Sequence, residues 1–234
     1  MSEWALKRFW QDATIETEAD GFSVRLDGRP VRTPGKRLLS VPTELMAQRI
    51  AAEWQAQTEA VDPRTMPWTR SANSALDKVS AQQDEVRDHL LGYAGTDLLS
   101  YRADSPDGLV ERQAQAWDPL LDWLESEYGV RLAVTRGVMP VAQDPDSLVR
   151  LRKAMDPMSD FHLTGFHDIV GLSGSYVLAL AAIENQATAE HIWALSRIDE
   201  DWQAEQWGVD EDAAETAEVK KAALCHATEF YDAA

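Results

Sequence analysis

Asp20-Gly21-Phe22-Ser23-Val24-Arg25-Leu26-Asp27-Gly28 reads as a strand bracketed by two turns. Phe22, Val24 and Leu26 fall on one face at period two, and the two Asp-Gly pairs tolerate the positive φ of tight hairpins. Towards the N-terminus, Thr14-Ile15-Glu16-Thr17-Glu18 alternates in the same way. In the other direction Val31-Arg32-Thr33 returns, Pro34-Gly35 turns again, and Leu38 to Val41 offers a last short strand. This is a small antiparallel meander, too small to be stable unless it leans on something larger.

After Pro42 the period becomes 3.6. Thr43 is a fair N-cap, Glu44 sits in the first turn, and Met46, Ile50 and Trp54 form one stripe with Ala47 and Ala51 beside it. A proline-marked stretch from Val61 to Trp68 interrupts the chain. Helical patterns then resume over 69–79, 82–93, 106–128, 146–155, 161–183, 188–207 and 210–231. In the third of these, Leu109, Gln113, Ala116, Leu120 and Leu124 trace the buried face, which Trp117 and Leu121 widen. Pro119 should start a fresh helix there or kink this one, and Gly129 should cap its end. The expected fold class is α+β. A small N-terminal antiparallel β-rich domain (1–62, including one helix) precedes a larger, mainly α-helical domain (63–234).

The 234 residues carry 22 basic and 40 acidic side chains, a net charge of −18. So acidic a chain is a poor partner for nucleic acid or anionic lipid, each of which demands a basic footprint. No apolar run reaches the roughly 18 to 20 residues of a membrane span. Met1 to Trp10 lacks the apolar core of a signal peptide, so a bacterial cytoplasmic protein is expected, or a processed mitochondrial matrix form. The single cysteine, Cys225, suits a reducing compartment and reads as a small core residue.

Catalytic signatures are missing. Gly171-Leu172-Ser173-Gly174-Ser175 resembles a nucleophile elbow, but serine stands where the last glycine belongs, and the segment reads as small-residue helix packing. Gly35-Lys36 cannot end a phosphate loop, because Pro30 occupies the position of its first glycine. His162 and His167 are five apart and point to different helical faces, so no metal site is expected. No cofactor is expected either.

The stretch from Asp199 to Glu218 stands apart: nine carboxylates and no Lys or Arg, interrupted by Trp202 and Trp207. A solvated helix ordinarily interleaves both signs, since like charges four apart cost a few tenths of a kcal/mol each. Three readings are open: a solvated acidic helix end, a docking surface for a basic partner, or a pair of carboxylates doing hydrolytic chemistry.

Six motifs in order make the pattern specific. They are Leu26-Asp27-Gly28-Arg29-Pro30-Val31-Arg32-Thr33-Pro34, Ile50-Ala51-Ala52-Glu53-Trp54, Met66-Pro67-Trp68-Thr69-Arg70-Ser71, Thr96-Asp97-Leu98-Leu99-Ser100-Tyr101-Arg102, Trp117-Asp118-Pro119-Leu120-Leu121-Asp122-Trp123, and Ser196-Arg197-Ile198-Asp199-Glu200-Asp201-Trp202 running on to Gly208. Together they resemble the chaperone family (Atp-twelve type) that attends the alpha subunit of the F-type ATP synthase. The resemblance implies a protein without catalytic activity; a monomer is expected. Such a chaperone binds newly made alpha subunit and protects it from aggregation until beta replaces it. It also implies that the important carboxylate lies in the Ser196 to Gly208 segment, with Glu200 the position assigned to it. Asp199, Asp201, Trp202 and Glu205 complete the expected partner-binding set, while Trp54 and Trp117 are expected to be structural. A basic-partner adaptor and a carboxylate-pair hydrolase are the alternatives.

Overall fold

The computed structural model describes residues 7–137 and 139–234. Part of the Met1 to Trp10 stretch, read above for a leader, lies outside them. The backbone gathers into two compact units. One holds the chain as far as Gln83 together with Ser159–Gly165 and Glu229–Ala234; the other holds Asp84–Met158 and Phe166–Thr228.

In the first unit, strands β1 (Ala13–Glu18) and β2 (Gly21–Leu26) form an antiparallel hairpin in the register Ala13↔Leu26 to Glu18↔Gly21. Its tight turn requires Gly21, because a Cβ there would run into the carbonyl oxygen of Val41. Asp27 and Gly28 both adopt positive φ (48° and 78°), as the Asp-Gly reading requires. The returning strand lies earlier than Val31-Arg32-Thr33: β3 (Arg29–Pro30) pairs with β2, and Arg32 makes only an isolated bridge to Leu38. The two-residue turn leaves no slack, so pairing resumes at once. β4 (Ser40–Val41) then lies antiparallel to β2 at Phe22 and Ser23.

Helix α1 (Glu44–Ala56) begins at Thr43, whose hydroxyl accepts from the Met46 amide and donates to the Ala233 carbonyl at 2.6 Å. Met46, Ile50 and Trp54 are buried as the stripe demands, and they share one core with Val24, Leu39 and Trp68. Helix α2 (Pro67–Asp77) has no side-chain cap of its own. Glu53 supplies one from α1, accepting from the amides of Trp68 (2.6 Å) and Thr69 (2.8 Å) and from the Thr69 hydroxyl (2.7 Å). Burial raises the Glu53 pKa, and these donors oppose the rise. Glu53→Ala is therefore expected to destabilise the protein by about 1 to 3 kcal/mol, because two amides lose their acceptor. Urea unfolding checks this; an unchanged midpoint contradicts it.

The second unit contains α3 (Gln83–Gly95), most of which lies within it, and a two-strand parallel ladder, β5 (Tyr101–Arg102) with β6 (Thr135–Arg136). Helix α4 (Asp107–Tyr128) buries Gln113, Trp117, Leu120, Leu121 and Leu124, and the Trp117 indole donates to the Leu195 carbonyl at 2.9 Å. Contrary to the fresh start allowed for at Pro119, α4 runs through it as one helix. Pro119 and Gln115 both lie on the exposed face, where water can satisfy the carbonyl that the proline leaves without a donor. Gly129 closes the helix in the left-handed conformation, φ 63°.

Helix α5 (Pro145–Ala154) is capped by Asp144. The apolar stretch 161–183 is not one helix. It divides into α6 (Asp160–Ser173) and α7 (Tyr176–Ile183) at Gly174, whose φ is +71°. Likewise 188–207 divides into α8 (Ala189–Leu195) and α9 (Ile198–Trp207), with α10 (Glu211–Asp232) following.

Tyr176 through Ala182 are all buried, so α7 needs a buried cap. Ser175 provides part of it, accepting from the Leu178 amide at 3.0 Å and donating to Asp97 Oδ1 at 2.8 Å. Asp97, itself fully buried, also accepts from the amides of Leu99 (3.0 Å, Oδ1) and Val177 (3.1 Å, Oδ2). Ser173 is equally occupied, its hydroxyl donating to the Ile169 carbonyl at 2.7 Å. The resemblance to a nucleophile elbow thus dissolves into a helix break and a cap.

Candidate functional site

Helix α9 carries all five residues expected to bind a partner. Asp199, Glu200 and Asp201 occupy its first turn. Carboxylates are favoured there, because the unpaired amides and the helix dipole present positive charge. This local stabilisation explains how three adjacent acids stand together in a chain that is already acidic.

The five are divided between two directions. Trp202 is half-buried against α4, where Gly108 makes room: a Cβ at that position would sit 2.8 Å from the indole Cη2. The Arg112 guanidinium lies over the indole at 4.8 Å and grips Glu205 in a bidentate pair, both contacts 2.8 Å. That pairing holds the Glu205 carboxyl below its usual range and raises Arg112. Asp199 accepts from the Gln113 amide nitrogen at 2.5 Å. Asp201 is exposed, 3.7 Å from Arg197 one turn earlier. Glu200 is exposed and makes no ion pair or hydrogen bond among the described residues. At the end of the helix Trp207 is 80% exposed, followed by Val209 at 69%.

Trp202 and Glu205 thus help fasten α9 to α4, while Glu200, Asp201 and Trp207 face outward. Sequence reasoning missed Gly108 and Arg112, and read Gln113 as part of a buried face without its bond to Asp199. Gly108 and Arg112 are one helical turn apart, but no spacing in α4 reveals that α9 packs there. The two tryptophans expected to be structural lie in separate cores: Trp54 packs edge-on against Trp10 at 5.3 Å, and Trp117 is almost completely buried.

The histidines are scattered. His162 contacts the Tyr231 ring at 4.8 Å, while His89 lies 5.9 Å from His167. Among the described residues no three His, Cys, Asp or Glu side chains are grouped to hold a metal ion. Cys225 is half-buried and in no disulfide, rather than the core residue expected. No helix in the described residues is long and apolar enough to cross a membrane.

Comparison with known proteins gives a consistent result. The family described as ATP12 chaperone protein matches residues 7–125. The chain is 25% identical over 223 residues to "Protein atp12, mitochondrial" of Schizosaccharomyces pombe, covering 90% of this chain and 77% of that protein. The crystal structure of Atp12 from Paracoccus denitrificans is similar with a TM-score of 0.93 and 50% identity, covering 97% of both chains. An aspartate-to-lysine variant of the P. denitrificans protein is similar with a TM-score of 0.94, 50% identity and 99% of each chain covered.

Proposed function

The chain belongs to the ATP12 chaperone family, assembly chaperones of the ATP synthase, and from that premise we propose that its client is the unassembled alpha subunit of the F-type catalytic head. The observation that carries the docking side of the proposal is the outward acidic edge of α9. There Glu200 and Asp201 stand exposed, with Trp207 at the far end of the same helix.

An orphaned subunit exposes interface surface that is apolar at its centre and polar at its rim, which makes it prone to aggregate. A holder must cover that surface and still release it without hydrolysing a nucleotide. Exposed carboxylates serve this purpose because they speed encounter and select basic partners, contributing more to on-rate than to affinity. Displacement by beta then needs only a better-packed interface. In this reading the chain performs no catalysis, uses no cofactor and acts as a monomer in the bacterial cytoplasm or the mitochondrial matrix. Trp54 and Trp117 serve packing alone.

The test is light scattering from purified alpha subunit, diluted out of denaturant with and without equimolar chaperone. Suppressed scattering without added nucleotide is expected. Binding should also weaken steeply as salt rises from about 50 mM to 500 mM, where the screening length falls to a few ångströms. Alpha subunit that aggregates at the same rate with the chaperone present contradicts the proposal.

A further inference from the structure

Beyond the acidic edge, α9 borders an open hollow of about 1000 Å³ whose opposite wall is the first half of α10. The construction of α10 there is unusual. From Glu211 to Ala223 it buries no residue, and burial begins only at Leu224. Helices draw much of their stability from packing an apolar face, so three turns on which only Ala214, Ala217, Lys221 and Ala223 are half-buried leave most of their surface open to a partner. The surface they turn to the hollow is built for contact. Ala213, Ala214 and Ala217 line it, with Trp207 and Val209 at its mouth.

We propose that this hollow seats one α-helix of the client, which inserts a bulky apolar side chain between Trp207 and the alanines of α10 and sets flanking Arg or Lys residues against the acidic rim. The proposal rests on the chaperone reading above and specifies where and how the client is held.

Three observations fix that occupant. Alanines on α10 let a helix approach closely, and an open trough between helical walls matches the helix-in-groove mode of recognition. Both walls are helical and offer no strand edge, so an extended segment would leave its backbone amides and carbonyls unpaired, whereas a helix satisfies its own. Charge selects the sequence: Glu200, Asp201, Asp210, Asp212 and Glu218 all line the hollow. The lining cations are fewer. Arg197 is already engaged, 3.7 Å from Asp201 and over the Trp193 ring at 5.3 Å, and Lys220 and Lys221 follow Glu218 along α10.

The experiment measures affinity for purified alpha subunit with the full chain and three variants: Trp207→Ala, Ala217→Trp and Glu200→Lys. Trp207 is so exposed that its removal should leave the melting curve unchanged, so that variant still decides the matter if Ala217→Trp folds poorly. Loss of the anchor or filling of the trough should each weaken binding about tenfold to a hundredfold, the range of an aromatic hot spot. Benzoylphenylalanine placed at position 213 should cross-link to a Lys- or Arg-bearing helical segment of alpha. Wild-type affinity in both trough variants, with Glu200→Lys impaired, overturns the helix seat and leaves the chaperone reading intact. Cross-links confined to acidic or extended segments also overturn it. Failure of the unmodified chain to bind alpha at all refutes both.

Discussion

Asp97→Ala is expected to destabilise the protein by about 3 kcal/mol at neutral pH, the largest stability effect of any single substitution considered. The carboxylate stands in a fully buried position and collects three donors: the Ser175 hydroxyl and the amides of Leu99 and Val177. Alanine leaves all three without an acceptor where no water reaches, at a cost of about 1 to 3 kcal/mol each. Relief from burying a carboxylate offsets part of that loss. Asp97→Asn should fall between the two, because its single oxygen keeps the contacts of Oδ1 while its NH2 group meets the Val177 amide, donor against donor.

The same site gives a pH signature. Burial pushes the Asp97 carboxyl up to about 6, against the hydrogen bonds that favour its ionised form. The folded state therefore holds its proton where the unfolded chain has already lost one. The proton-linked part of the Asp97 contribution, about 3 kcal/mol, is fully present below about pH 4 and is lost as pH rises through about 6, whereas its hydrogen bonds persist at neutral pH, so Asp97→Ala costs more in acid than at neutrality. In the stability of wild type minus that of Asp97→Asn, measured by urea unfolding between pH 3.5 and 7.5, this fall should stand clear of the other carboxylates. A flat difference curve contradicts it.

Glu200→Lys is expected to abolish pull-down of alpha subunit, chiefly by slowing association, while the melting temperature stays within about 2 °C of wild type. An exposed side chain without an internal partner has little to contribute to folding, and surface changes of this kind usually fall within about 0.5 kcal/mol. Charge reversal both removes an attraction and places a repulsive cation in the path of a basic client, which is how specificity is most strongly broken. Glu205 offers the contrasting case. Its bidentate pairing with Arg112 implies that reversal there loosens α9 from α4, so lost binding would not separate structure from recognition. Undiminished binding by a folded Glu200→Lys variant removes Glu200 from the interface.

Local signals were legible in the sequence and long-range ones were not. Asp27-Gly28 announced its turn because few residue pairs tolerate two positive φ angles. The Met46, Ile50, Trp54 stripe followed from periodicity alone, and so did Gln113, Leu120 and Leu124 with Trp117 and Leu121 beside them, although Leu109 and Ala116 of that face are only half-buried. Periodicity failed between 161 and 183, where apolar and small residues predominate and nearly every position is buried or half-buried. Ser175 three residues before Leu178 was the available sign of a new N-cap, obscured by its likeness to a catalytic motif. The Asp97–Ser175 bond joins residues 78 positions apart, and Arg112–Glu205 joins residues 93 apart. Neither leaves a trace in spacing. At α9 the sequence disclosed a cluster of carboxylates but not their directions, which depend on where Gly108 and Arg112 of α4 happen to lie.

The central claim is that alpha subunit is held on the outward face of α9 and the adjoining half of α10. Amide hydrogen exchange of the chaperone, with and without saturating alpha subunit, tests it most directly. New protection should concentrate between residues 198 and 221, with β1 and β2 unchanged. Protection confined to other segments, with 198–221 exchanging as fast in the complex as in the free protein, contradicts the account.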